Sequence, residues 1–132
     1  MSVIELKKAI FAFLKTKTSK VYEAQAPAKA AYPYVVYSLQ NSVTHINEKR
    51  EDFDLYIDVY DNNQFDSTDL DTLVGQIDGN GAIVGASGLH RKHYYVASTL
   101  QADFYRTSKR DLSDDENVKH VELIYDVMSY LA

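Results

Sequence analysis

Apolar residues fall on every second position in one acidic segment near the middle of the chain, residues 51–61. Strand side chains alternate between two faces with a period of two residues, so each face can be written down directly. The apolar face holds Phe53, Leu55, Ile57 and Val59. The other face holds Asp52, Asp54, Tyr56, Asp58 and Tyr60. This pattern predicts a half-buried antiparallel strand whose outer face is rich in carboxylates.

Three further segments show strand patterns. Residues 34–39 follow Pro33 and are rich in β-branched and aromatic residues, which favour strands. Residues 94–105 predict a third strand, and residues 121–127 alternate apolar and polar positions as a fourth. Residues 21–22 indicate only a short extended piece.

Two segments have helical spacing instead. Residues 3–14 place one apolar stripe along a helix, and Ser2 followed by Glu5 is typical of a capping box at its start. The second helix is predicted over residues 68–77, with Asp66 or Ser67 as its cap and Gly79 as its stop.

The predicted order is helix, strand, strand, helix, strand, strand. Polar segments at 41–50 and 112–117 join each strand pair, so both pairs are predicted to be hairpins. We therefore predict an α+β fold over residues 1–132, a single domain. Its sheet has four strands, mostly antiparallel, packed by two helices on one face.

The composition is that of a globular domain and places charge unevenly. The chain has 132 residues, no cysteine, 45% hydrophobic residues and a net charge of -5, which argues against binding nucleic acid through bulk electrostatics. We expect no signal peptide or membrane span, because no apolar run is long enough. Between Glu51 and Asp78 there are nine acids and no Lys or Arg. Basic residues cluster in the first helix and at Arg106, Lys109 and Arg110. Such asymmetry favours contacts between copies, acidic patch against basic patch.

Candidate chemistry is weak by comparison. The Gly79-Asn80-Gly81 run follows a helix and not a strand, so a dinucleotide site is not expected. His90 and His93 lie beside two cations, which oppose a bound metal. The remaining candidate is a set of aspartates on one strand face, suited to Mg²⁺ or Ca²⁺, at Asp52, Asp54 and Asp58. No nucleophile with a nearby base is evident, so we expect no enzyme and no cofactor.

The element order and several local strings resemble one family. The chain is similar to the small tail-completion or tail-terminator proteins of long-tailed siphophages, which join head to tail. The similarity covers the helix at 3–14, the Pro-led strand at 32–37 and the acidic strand at 52–60. It continues through the helix at 68–77 and the last strand at 120–127.

The resemblance implies a structural virion protein of a phage or prophage, made in the host cytoplasm. Such proteins form a ring, often a hexamer and in some cases monomeric in solution, on the end of the tail tube. The ring stops tube polymerisation, meets the head connector or stopper protein, and lets double-stranded DNA pass. A closed ring needs two complementary patches on each subunit. Candidates for its interface or lumen are Asp52, Asp54, Tyr56, Asp58, Tyr60, Arg106, Lys109 and Arg110.

Projecting loops carry contacts of this kind, so residues 41–50 and 111–117 are candidate docking segments. Within them we single out Thr44, His45, Ile46, Asn47, Asp114 and Asp115. Two alternatives remain open. One is a metal-dependent hydrolase that uses the aspartates of the acidic strand, and the other is a bacterial adaptor module with no role in a virion.

Overall fold

A computed structural model describes residues 2–28, 31–44, 50–62, 68–79, 88–90, 93–96, 100–112 and 118–131. Its two helices are α1 (Ser2–Lys15) and α2 (Thr68–Asp78). Its strands are β1 (Val21–Glu23), β2 (Tyr34–Thr44), β3 (Arg50–Asp61), β4 (His93–Val96), β5 (Leu100–Asp111) and β6 (Lys119–Leu131).

The strands form one sheet in the order β1-β2-β3-β6-β5-β4. Only the short β1 runs parallel to its neighbour β2, and every other pair in the described sheet is antiparallel. The two hairpin halves of the sheet meet where β3 pairs with β6, from Arg50 opposite Tyr130 to Asp61 opposite Lys119. The acidic strand therefore lies in the interior of the sheet, with a long partner on each side.

The predicted α+β class is confirmed, but the predicted count of four strands is wrong, since the described residues form a sheet of six. β1 adds an edge strand of three residues, too short for periodicity to reveal. The segment predicted as one strand over 94–105 is two strands, because the chain reverses and pairs Val96 with Leu100. A reversal between two strand-like stretches changes no local hydrophobic pattern.

Both helices pack on the same face of the sheet, as predicted. A single hydrophobic cluster contains buried residues of α1, of α2 and of the inward faces of β2, β3, β5 and β6. Leu55, Ile57, Leu123 and Tyr125 at its centre are fully buried. Burial of this apolar surface, at about 25 cal/mol per Å², is the main force that holds the layers together.

α2 ends where a glycine permits a turn that other residues resist. Gly79 has φ of +82°, and a Cβ atom there would lie 2.7 Å from the Cα atom of Gly88. Beyond it, Leu89 N–H donates to the carbonyl oxygen of Ile77 at 2.6 Å, so the returning chain satisfies an orphan carbonyl of the helix. Neither helix in the described residues is long and apolar enough to cross a membrane.

The first hairpin is long. β2 and β3 remain paired out to Thr44 opposite Glu51, with an irregularity between Asn41 and Val43. Half of the predicted polar bridge, residues 41–44 and 50, therefore belongs to a hairpin arm. The remaining docking-segment candidates, His45, Ile46, Asn47, Asp114 and Asp115, lie outside the described residues, as do the predicted cap residues Asp66 and Ser67.

Candidate interaction face of the sheet

One face of the sheet carries no helix in the part of the chain that the structure describes. We call this surface the open face. It comprises Tyr34, Val36 and Ser38 of β2, Arg50, Asp52, Asp54, Tyr56, Asp58 and Tyr60 of β3, Asp103, Tyr105 and Arg110 of β5, and His120, Glu122, Ile124 and Asp126 of β6. The alternation predicted for β3 is confirmed: its apolar positions are buried, and Asp52, Asp54, Tyr56, Asp58 and Tyr60 lie together, half-buried, on the open face.

An aromatic row crosses one end of the open face. The Tyr34 and Tyr60 rings stack with centroids 5.0 Å apart, and Tyr60 stacks on His120 at 4.2 Å. Tyr32 continues the row beside Tyr34, with 5.2 Å between centroids. His120 is also 2.7 Å from a carboxylate oxygen of Asp58, measured from its Nε2 atom. Burial raises the pKa of Tyr60, and the charge of Asp58 raises it further.

Sequence reasoning missed this row. Tyr60 and His120 are directly opposite each other across the β3–β6 pair, although they are far apart in sequence. His120 lies on the outward face of β6, and its partners depend on which strand lies next to β6. The stacked geometry shields one flank of the acidic surface and fixes the imidazole beside Asp58.

The other carboxylates of the open face have separate partners. The Arg50 guanidinium donates two hydrogen bonds, of 2.8 and 3.0 Å, to the carboxylate of Asp52. Asp54 lies directly opposite Asp126 of β6. Partial burial raises the pKa of Asp126, and the charges of Asp54 and Asp52 raise it further. The carboxylates of Asp52, Asp54 and Asp126 therefore repel each other, and the cationic groups among the described residues do not fully neutralise this surface.

The aspartates proposed as metal ligands are divided among these partners. Asp52 pairs with Arg50 and Asp58 with His120, whereas Asp54 faces another carboxylate, that of Asp126. Among the described residues, no group of three or more His, Asp or Glu side chains is arranged to hold a metal ion. The geometry of this face suits contact with a cationic or polar surface better than coordination of a single ion.

The structure does not bring the three basic candidates of β5 together. Arg106 points to the helix side and forms an ion pair with Asp78. Arg110 lies on the open face, paired with Glu122 of β6. A register shift after Arg106 changes which face each later residue occupies, and Lys109 is exposed opposite Leu123. These residues therefore do not form one basic patch.

A buried polar network lies on the helix side of the sheet, opposite the open face. Tyr125 donates a hydrogen bond of 2.6 Å from its hydroxyl to Asp78, whose other carboxylate oxygen accepts from Arg106. Burial raises the pKa of Tyr125 strongly, and its hydrogen bond to Asp78 adds to the effect. The backbone N–H of Arg106 donates a hydrogen bond of 2.9 Å to the imidazole Nδ1 of His90. This network ties the end of α2 to the two strands β5 and β6.

On the opposite side of the molecule, α1 presents a second surface that sequence analysis did not single out. We call it the outer stripe of α1, and it comprises Ile4, Lys8, Phe11 and Lys15. These residues are spaced by four, three and four, so they share one helix face, away from the buried Leu6, Ile10 and Leu14. Ile4 is 61% and Phe11 38% exposed. The Lys15 ammonium lies 5.4 Å from the Phe11 ring centroid.

The fold is similar to that of a chain in a solved structure titled the virion of a native gene transfer agent (GTA) particle. The TM-score is 0.56 at 11% sequence identity, and the match covers 92% of this chain and 91% of that chain. At this identity the similarity concerns the fold alone. No protein-family model matches the sequence, and a search among curated proteins gives no match.

Proposed function

We propose that this protein is a structural component of a phage, a prophage or a related particle, and that it forms a ring on the end of the tail tube. The ring stops tube polymerisation and mediates head–tail joining, and it leaves a passage for DNA. The observation that carries the proposal is a fold shared over nearly the whole chain with a virion protein. The resemblance of the sequence to tail-completion proteins supports it independently.

The open face suits a protein that works by contact. It is broad, acidic and rich in tyrosine, and tyrosine is enriched at protein interfaces, where it combines apolar area with a polar tip. Two roles fit such a face in a ring. Carboxylates that line a lumen repel phosphate and let DNA slide, whereas carboxylates at a subunit boundary attract a cationic neighbour.

The proposed partners are further copies of the chain, the tail-tube protein and the head connector or stopper protein, with DNA passing through transiently. The proposed location is the head–tail interface of the particle, reached after synthesis in the host cytoplasm. The tip of the β2–β3 hairpin and the segment between β5 and β6 are the proposed docking segments for tube and connector. Deletion of residues 44–47 is expected to leave the domain folded and to block joining. Joined particles from that variant would remove the hairpin tip from the docking surface.

Deletion of the gene from the element that encodes it tests the proposal in the producing cell. We expect filled heads, separate tails and tubes of irregular length by electron microscopy, with joined particles restored when the wild-type gene is supplied in trans. The same strain supplied with a variant that is truncated within β6, and therefore unable to fold, serves as the control. Joined particles of normal length from the deletion strain would contradict the proposed role.

A further inference from the structure

Two surfaces on opposite sides of the molecule have complementary charge. The open face has an excess of carboxylates over cationic groups. Two guanidinium groups and the imidazoles of His93 and His120 stand against six carboxylates, those of Asp52, Asp54, Asp58, Asp103, Glu122 and Asp126. The outer stripe of α1 has two lysines and no acid. The ion pair of Lys8 with Glu5 is long, at 3.7 Å, and the Lys8 side chain is 70% exposed. Its ammonium is therefore available to a stronger partner.

The apolar parts of these surfaces are complementary too. Phe11 lies between the two lysines of the outer stripe and Ile4 precedes them, and both side chains are exposed. The open face offers half-buried apolar area at the centre of the acidic field, from Tyr56 of β3 and Ile124 of β6, which are directly opposite each other. If the outer stripe packs on this area, its two apolar side chains and the apolar area of the open face are both removed from water. The lysines of the stripe then lie among the carboxylates.

The geometry decides what kind of contact this can be. α1 packs on the face of the sheet opposite the open face, and the Phe11 ring lies 6.5 Å from the ring of Tyr37 on that helix side, so the stripe cannot reach the open face of its own chain. A contact between two different surfaces of like subunits is heterologous, and heterologous contacts generate rings or open filaments. α1 has 14 residues and is therefore about 21 Å long. That length is enough to cross β2, β3, β6 and β5, which span about 15 Å at the usual strand spacing.

We infer that the outer stripe of α1 in one copy packs on the open face of the next copy, with Lys8 and Lys15 over Asp54 and Asp126 and with Phe11 against Tyr56 and Ile124. The occupant of the open face is thus a second copy of this chain. The inference rests on the proposed function for the statement that the contact closes into a ring. The contact itself rests on the charge and apolar complementarity of the two surfaces.

Cross-linking between single-cysteine variants tests the contact directly, because the chain has no cysteine of its own. Phe11→Cys and Tyr56→Cys proteins are mixed with a short thiol-specific linker, both in concentrated solution and on tail tubes. We expect a covalent heterodimer from the mixture and none from either variant alone. The matched control pairs Phe11→Cys with Gln76→Cys, an exposed position on α2, and is expected to give no product.

Charge reversal supplies a second variant set that does not depend on the cysteines. Lys8→Glu with Lys15→Glu should abolish the cross-link, and Gln76→Glu, a carboxylate added at an exposed position of α2 outside both surfaces, should leave it unchanged. Adding Asp54→Lys and Asp126→Lys to the reversed helix in the same chain should restore it, because every contact then pairs opposite charges again. Loss of the cross-link that is not restored by the compensating reversal would contradict the assignment of these pairs.

The outcomes separate this contact from the tail role. Tubes capped by the protein, with no Phe11–Tyr56 cross-link on them, would overturn the contact and leave the tail role standing. A heterodimer from protein that never caps tubes would support the contact and contradict the tail role. Self-linking of Phe11→Cys would overturn the contact in favour of helix-to-helix pairing.

Discussion

The two faces of the sheet use the same strands for opposite purposes. On the helix side, β3 contributes four fully or almost fully buried apolar residues to one core, and the buried carboxylate of Asp78 accepts hydrogen bonds from both Tyr125 and Arg106. On the open side, the same strand contributes half-buried aspartates and tyrosines whose like charges raise the pKa of Asp126. The first face is built for stability. The second retains electrostatic repulsion that an incoming cationic surface would relieve.

Two arginines of β5 show the difference at closer range. Arg106 reaches Asp78, whose side chain is only 4% exposed, and it shares that carboxylate with Tyr125. Arg110 pairs with Glu122 on the open face while its own side chain remains 56% exposed. The same interaction type therefore serves as part of the core in one case and as part of a solvated surface in the other.

The largest effect is expected from adjacent residues of β3 that point to opposite faces. Leu55→Ala should reduce the free energy of unfolding by about 2–5 kcal/mol, because it leaves a cavity in a close-packed core. Asp54→Ala should change it by no more than about 0.5 kcal/mol. Denaturant titration of both variants measures the two values. Similar losses for the pair would break the distinction between the faces.

The two ion pairs of β5 should differ next. Asp78→Ala should lower the free energy of unfolding by about 3 kcal/mol. The reason is that the buried hydroxyl of Tyr125 and the Arg106 guanidinium both lose their shared acceptor. Glu122→Ala, which removes the partner of Arg110, should cost about 1 kcal/mol or less. Denaturant titration again gives the numbers, and Tyr125→Phe separates the hydroxyl from the ion pair. Equal costs for Asp78→Ala and Glu122→Ala would mean that burial does not set the strength of these pairs.

Charge reversal on the open face should separate stability from assembly. Asp54→Lys with Asp58→Lys is expected to keep the domain folded, with a loss of about 1 kcal/mol from the Asp58–His120 pair, and to abolish incorporation into particles. Circular dichroism and particle counts by electron microscopy give the two readings. The matched control is Asp69→Lys with Asp71→Lys on the exposed start of α2, which should assemble normally. Normal infectious particles from the open-face variant would remove that face from the assembly.

The smallest effect concerns pH. The pKa of Asp126 is raised, so the folded state holds this proton more tightly than the unfolded state does. The stability that the proton contributes is present at pH below the ordinary carboxyl pKa and is lost as pH rises through the raised value. Asp126→Asn should therefore stabilise the protein at neutral pH by a few tenths of a kcal/mol, after screening by solvent, and should show no gain in strong acid. Thermal melts of both proteins from acidic to neutral pH measure the difference. A destabilised Asn variant at neutral pH would contradict it.

Local patterns in the sequence were enough to predict much of the fold. The alternation of 51–61 and the apolar stripes of both helices predicted the buried faces, because burial of a face leaves a trace at each residue. Gly79 marked the end of α2 for a similar reason, since its positive φ favours glycine. The short β1 was indicated only as an extended piece at 21–22, and the reversal between β4 and β5 left no trace in the local pattern.

The candidate face was predicted only in part, because it depends on pairing between distant strands. The aspartates and tyrosines of β3 were found from one strand, but the Tyr34–Tyr60–His120 row needs the order β2-β3-β6. The basic residues of β5 were treated as one cluster, and the register shift after Arg106 separates them. The residues of the outer stripe of α1 recur at helical spacing in the sequence. Only the fold shows that no described strand or helix packs over them.

The most direct test of the central claim mixes the purified protein with the tail-tube protein encoded beside it and images the products by negative-stain electron microscopy. We predict tubes that carry a ring at one end only and that stop growing when the protein is present, with tube length falling as its concentration rises. Tubes that lengthen as they do without the protein, and that bear nothing at their ends, would contradict the account.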